Sequence, residues 1–243
     1  MSSSTAPPEA AATGGHRAAL LRVALVVAYF VLAHVAGVRH APALAALASG
    51  DIVAIGLLSP LLAGRAWAWA ALALCAWGLF RLAAGAHAFL PLLLVPVAIL
   101  SLVGWSFART LRPGREPLIT RIVGALDGVP PAQLAPELRR YTRTLTRLWA
   151  LLLGTLALLN LVLAALAVPN GLLAGFGIAP PLAVSAAQWS WIANVGNYGL
   201  LAGFMLLEFR GRQRRFPGRY HGFFDFLRRM GRLGPGFWAN LFR

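Results

Sequence analysis

Apolar residues run in blocks of about 20 along this chain, with the polar residues gathered between the blocks rather than alternating within them. A helix of that length crosses the hydrocarbon core of a bilayer, and the blocks predict spans over 18–37, 41–64, 66–84, 88–107, 148–168 and 189–209. The second block is the weakest. Ser49-Gly50-Asp51 interrupts it, and the remainder, 52–64, reaches only about 20 Å as helix against a core of about 30 Å. A short interfacial helix with a stubby span is the alternative there, which would leave five full spans in place of six. The expected fold class is all-α, a polytopic transmembrane helix bundle. Residues 1–16, rich in Ser, Ala, Pro and Gly, read as a disordered tail, followed by a four-span region over 17–107. An Arg-rich loop with an amphipathic helix comes next over 108–146, then a two-span hairpin over 147–209 and a basic-aromatic tail over 210–243. The first block is too long and too weakly basic at its start for a cleaved signal and reads as a retained span.

Charge then orients the spans. All 22 basic residues are arginine, and 17 of them lie in 109–147 and 210–243, each stretch abutting an apolar block. Six spans put 20 arginines on one side and leave Arg39 and Arg81 on the other; five spans worsen the split. Arginine-rich loops stay cytoplasmic, so both termini are expected on the cytoplasmic side of the membrane. A hydrophobic fraction of 59% with 12% charged residues exceeds what a soluble domain hides. The net charge of +15 therefore marks topology, not nucleic acid, whose binders spread bases over a soluble face. The single cysteine, Cys75, lies inside a span, which excludes a disulfide framework or a cysteine metal cluster.

Three groups of residues carry candidate chemistry. In the 107–121 loop Arg109, Arg112, Arg115 and Arg121 surround the single acid Glu116, and guanidinium forks at headgroup depth suit phosphate or carboxylate. Orientation alone also demands arginines there. After Pro136 a helix is expected to run unbroken into the fifth span, with Leu138, Tyr141, Leu145 and Leu148 on one stripe and Arg139, Arg143 and Arg147 on another. In the sixth span Asn194 and Asn197 lie one turn apart, with Tyr198 beside them and Gly199 and Gly203 forming a close-approach pair. Asn160 in the fifth span is placed to bond across to this face, and Glu208 ends the sixth span beside Arg210 and Arg212. On the opposite side of the bilayer His34, His40, Asp51, Arg81 and His87 are dispersed without a ligand or catalytic spacing, so no catalytic residue, metal or cofactor is assigned. In the tail Phe223, Phe224, Phe226, Leu227 and Met230 interleave with arginines, as in an in-plane helix on an anionic inner leaflet.

The runs FARTLRPGREPLITRI (107–122), LAPELRRYTRTLTRLWA (134–150) and WIANVGNYGLLAGFMLLEFRGRQRRFP (191–217) resemble a family of small bacterial inner-membrane proteins. Members are commonly encoded with aryl polyene or xanthomonadin-type pigment biosynthesis. The resemblance covers about the C-terminal half and implies an accessory role in assembling a lipid-linked polyene, with no catalytic residue to carry over. It implies membrane lipids of the anionic inner leaflet as partners, and acyl carrier protein or other pigment enzymes docking on the arginine-rich face. Some relatives carry the label ketosynthase; that activity is rejected here, because a condensing enzyme of that kind needs a Cys nucleophile and the one cysteine lies in a span. The alternative reading is a transporter or flippase of an anionic lipid or small molecule, with the asparagines lining its path.

Topology gives the first prediction. Reporter fusions after Val168 are expected to read as periplasmic, and fusions after Pro113 and at Arg243 as cytoplasmic. A periplasmic signal at Pro113 contradicts the arrangement.

Overall fold

The computed structural model describes residues 8–85, 87–216, 223–234 and 237. Helices α1 (Pro8–Arg39), α2 (Pro42–Leu62), α3 (Ala66–Ala83) and α4 (Leu90–Arg109) come first, then the short α5 (Leu118–Asp127) and a 3-10 turn at Pro131–Gln133. Helix α6 (Pro136–Leu166) leads into β1 (Ala167–Val168), α7 (Leu172–Gly175), β2 (Val184–Ser185) and α8 (Ala186–Ser190). A π-helical segment, Trp191–Gly196, joins α8 to α9 (Asn197–Arg215), and α10 (Phe223–Arg232) comes last. Among the described residues six helical runs are long and apolar enough to cross a membrane: Ala18–Arg39, Pro42–Leu62, Ala66–Ala83, Leu90–Arg109, Pro136–Leu166 and Ala187–Arg215. The chain is an all-α, multi-pass membrane protein. Its lateral surface agrees with that class, because Leu74, Phe80, Leu102, Leu151 and Leu207 are exposed, as lipid-facing side chains must be.

Three expectations change. Residues 8–16, read as tail, belong to α1, and the Ala10-Ala11-Ala12 run favours helix there. The Ser49-Gly50-Asp51 interruption does not break α2. Ser49 donates its hydroxyl to the Ala45 carbonyl oxygen 2.8 Å away, which satisfies it within the helix. The 21 residues of α2 therefore make one helix of about 31 Å, a full span, and place Asp51 near its middle rather than at its outer end. Gly199 and Gly203 have open space where a Cβ would stand, so the expected close approach does not occur there. It occurs at Gly104, where a Cβ would sit 3.2 Å from that of Leu153.

The helices divide into two compact units. One comprises 1–95 and 164–186. In it α1 and α2 meet through Ala36, Ala45 and Ala48, all fully buried, and Arg22 donates to Ser59 Oγ. A parallel β1–β2 ladder pairs Ala167 with Val184 and Val168 with Ser185. Gly171 is required beside it, since a Cβ there would collide with the carbonyl oxygens of Ala167 and Ala164.

The other unit comprises 96–163 and 187–243 and holds the arginine-rich region. Leu100 of α4 packs on Leu153, Leu156 and Ala157 of α6, bordered by Leu201 of α9. Beyond that core α6 continues toward its N-terminus as a single helix, as expected, and α5 lies along it. Ile119 and Val123 of α5, with Leu134, meet Leu138 and Leu145 of α6 in a second apolar cluster. The stretch 118–127, read as part of the loop ahead of Pro136, is helical. Its apolar positions Leu118, Ile119 and Val123 fall on one face, and Gly128 in the left-handed conformation (φ 69°) ends it.

Candidate functional site: an arginine-faced helix

Helix α6 has two sides of opposite chemistry over its first three turns. One side is buried: Leu138, Thr142, Leu145 and Thr146 are each 3% exposed or less. The other side presents Arg139, Arg140, Arg143 and Arg147, all exposed. The expected apolar stripe is thus corrected in part. Leu138 and Leu145 are buried and Tyr141 half-buried, but Leu148 faces outward, and two threonines complete the buried row.

Those threonines fasten α5. The first N–H groups of a helix have no partner inside it, and Pro117 at the cap position of α5 offers no side-chain acceptor. Two hydroxyls from elsewhere supply the acceptors: Thr110 Oγ1 accepts from the Leu118 N–H at 3.0 Å, and Thr146 Oγ1 from the Ile119 N–H at 3.3 Å. Thr120 and Thr142 then bond hydroxyl to hydroxyl at 2.8 Å in the buried interface. Each such bond contributes about 0.5–1.5 kcal/mol, and losing one partner would strand a buried polar group at higher cost. The contact is therefore specific in register as well as apolar.

A cleft of about 260 Å³ opens beside this interface, lined by Glu116, Pro117, Thr120, Pro136, Arg139, Arg140 and Arg143. Glu116 Oε1 stands 3.5 Å from the Arg139 guanidinium, a half-exposed pair of small energetic weight. So Glu116 orients a guanidinium as expected, but one of α6. None of the four arginines grouped with it from the sequence lines the cleft. Arg112 lies over the Trp105 ring at 5.1 Å, Arg115 is exposed on the turn made by Gly114, and Arg109 and Arg121 are half-buried and engaged. The i, i+4 spacing on α6 does place its arginines together.

Helix α9 is also tied to α6, by two polar groups. Deep in the membrane Asn160 (0% exposed) and Asn197 (5%) form a closed amide pair, each Nδ2 donating to the other's Oδ1 at 3.1 Å. The second N–H of each goes back along its own helix, to the Leu156 carbonyl oxygen at 2.7 Å and the Ala193 carbonyl oxygen at 2.8 Å. All four amide donors are used. The π-helical Trp191–Gly196 immediately precedes Asn197, and its extra residue rotates α9 by about 100° about the axis. Tyr198, grouped with the asparagines from the sequence, is 59% exposed and does not join them. The side chain of Asn194 lies outside the described residues.

Nearer the arginine face Glu208 accepts from Tyr141 Oη at 2.9 Å and from Arg212 Nε at 2.8 Å. Arg212 Nη2 lies 2.6 Å from the same Oε1, and both side chains of this ion pair are more than nine-tenths buried. The expected ion pair at Glu208 is thus present with Arg212, and gains Tyr141 as a link to α6. Arg215 extends the link, bonding Glu137 at 3.1 Å and standing over the Tyr141 ring at 6.0 Å. Beside this, Met230 of α10 packs on Phe209, while Phe224 is exposed on the amphipathic helix expected in the tail. The side chains of Phe223, Phe226 and Leu227 lie outside the described residues.

Sequence reading named Asn160, Asn197 and Glu208 and grouped the arginines of α6, but gave no role to the threonines, Glu137 or Arg215. A signal existed for the threonines: Thr142 and Thr146 fall at the spacing of Leu138, Leu145 and Trp149, on the side that the arginines avoid. Among the described residues no three His, Cys, Asp or Glu side chains gather as a metal site. Of the dispersed histidines, His87 packs edge-on against Phe176 at 6.0 Å. Comparison with protein-family models, curated proteins and solved structures gives no match for this chain.

The amide pair gives the second prediction. Asn160→Leu and Asn197→Leu are each expected to lower thermal stability in detergent, and the double variant to fall short of their sum by about 0.6–2 kcal/mol of coupling. Strict additivity in that cycle would mean that the two amides do not meet.

Proposed function

We propose that this chain is an inner-membrane accessory protein that docks an acidic soluble partner on the arginine face of α6. The observation that carries the reading is the two-sided character of that helix. Four arginines stand on a rod that is continuous with a membrane span and held along its other side, so they are presented in a fixed pattern. Arginines needed only for orientation would serve equally well on a loose loop. A fixed row of planar, always-charged forks favours a partner with a matching row of carboxylates or phosphates.

The 20-to-2 division of arginines supports a cytoplasmic location for this face, where such a partner would be met. Acyl carrier proteins are acidic, and the resemblance of 107–122, 134–150 and 191–217 to membrane proteins of aryl polyene assembly makes one a natural candidate. On this reading the protein holds carrier-bound intermediates at the membrane where the lipid-linked product is made, and performs no condensation itself. The transporter or flippase reading draws less support. Asn160 and Asn197 spend their donors on each other and on their own helices, which leaves them poorly suited to line a path.

The third prediction tests docking. A variant with Arg139, Arg140, Arg143 and Arg147 all replaced by Gln should insert normally and bind an acyl carrier protein at least about tenfold more weakly, since each 1.4 kcal/mol lost is a factor of ten. Binding by the unaltered chain should also weaken with added salt. Carrier affinity that is equal in the two chains would remove the docking reading.

A further inference from the structure

We infer that the cleft between the start of α5 and the start of α6 binds a terminal phosphate group. The inference rests on the reading of the arginine side of α6 as a binding face and names the ligand class for its concave part. Arg139, Arg140 and Arg143 line the cleft, and Glu116 is the one carboxylate among the lining residues. Pro117 and Pro136 bring no N–H, and the Thr120 hydroxyl is already bonded to Thr142. The cleft's recognition chemistry is therefore guanidinium, three forks each with five N–H donors.

Charge selects among anions. Three arginines against one glutamate leave two positive charges, which a terminal phosphate at about −1.5 to −2 neutralises. A carboxylate or a phosphodiester, each carrying one negative charge, would leave about half of that excess uncompensated. The field is also favourable, since the first turns of α5 and α6 both border the cleft and helix N-termini carry about half a positive charge. At about 260 Å³ the space takes a phosphate with the first atoms of its ester.

Depth fits a ligand at the membrane surface. From Arg143 to Leu148, where the apolar block begins, is five residues or about 8 Å of helix, and from Arg139 about 13 Å. That spans the headgroup layer and the water just beyond it. A phosphate there belongs either to a lipid headgroup or to a soluble phosphate ester. Glu116 occupies Arg139 from the edge of the cleft, and the long 3.5 Å contact is one that an incoming dianion can displace.

The test uses the full chain in phosphatidylcholine nanodiscs, with thermal unfolding followed by tryptophan fluorescence. The probes are glycerol 3-phosphate and dihexanoyl phosphatidic acid, with dihexanoyl phosphatidylcholine as the neutral control. Saturable stabilisation by at least one phosphate probe is expected. The exposed pair Arg140→Gln with Arg143→Gln should weaken it at least tenfold, while Arg214→Gln with Arg228→Gln, equal in net charge, should stay within twofold. Tighter binding of phosphatidic acid would assign the site to a headgroup, and equal binding to a soluble ester; either supports the inference. No saturable effect, an equal response to phosphatidylcholine, or equal loss in both variant pairs would overturn it. If carrier docking persists while phosphate binding is absent, only the phosphate assignment falls.

Discussion

Helix α6 is longer than a membrane is thick, and the arginine-rich unit is organised around that excess. Its 31 residues extend about 46 Å, against a hydrocarbon core of about 30 Å. Roughly three turns project, and they cannot remain apolar on one side in water. Helix α5 covers that side with Ile119 and Val123, while the threonines answer the polar groups that the contact would otherwise strand. Only the arginine side is left to solvent. Two-sidedness thus arises from length and burial before any question of function.

Inside the membrane the rule is stricter, since no water stands ready to bond an unpaired amide or charge. The Asn160–Asn197 pair obeys it by using all four amide donors on α6 and α9 themselves, and nearer the arginine face the buried Glu208 is paired with Tyr141 and Arg212. A buried ion pair brings little net stability, because desolvation offsets most of the Coulomb gain. Its contribution is register. Glu208 lies 11 residues from Asn197 on α9, and Tyr141 lies 19 from Asn160 on α6, so the two contacts together fix both rotation and slide of one helix on the other.

Much of this was legible in the sequence, for reasons that differ by residue. The spans could be read because hydrocarbon imposes one period and one length on every crossing helix. The unbroken α6 could be read because Pro136 marks its start and no glycine or proline interrupts its 139–153 stretch. Asn160 and Asn197 stood out as amides with nowhere else to go. The α5–α6 contact was hidden, since Thr110 and Thr146 act on backbone N–H groups whose positions no side-chain pattern reveals, and Thr142 meets a hydroxyl 22 residues away. The cleft was hidden likewise. Glu116 and Arg139 are 23 residues apart, and only the return of the chain through α5 brings them together. Ser49-Gly50-Asp51 misled for the opposite reason: its composition reads as a turn, but Ser49 bonds back into its own helix.

The central claim is that the arginine row stands on a rigid, clamped rod rather than on a mobile loop. Amide hydrogen exchange on the full chain in nanodiscs addresses it most directly, by comparing 139–147 with the 110–116 turn. The account predicts slow exchange throughout 139–147 and at Leu118 and Ile119, with Thr142→Val and Thr146→Val together accelerating exchange across 118–127. Exchange in 139–147 as fast as in the turn would contradict it, because arginines on such a segment could present no fixed pattern to any partner.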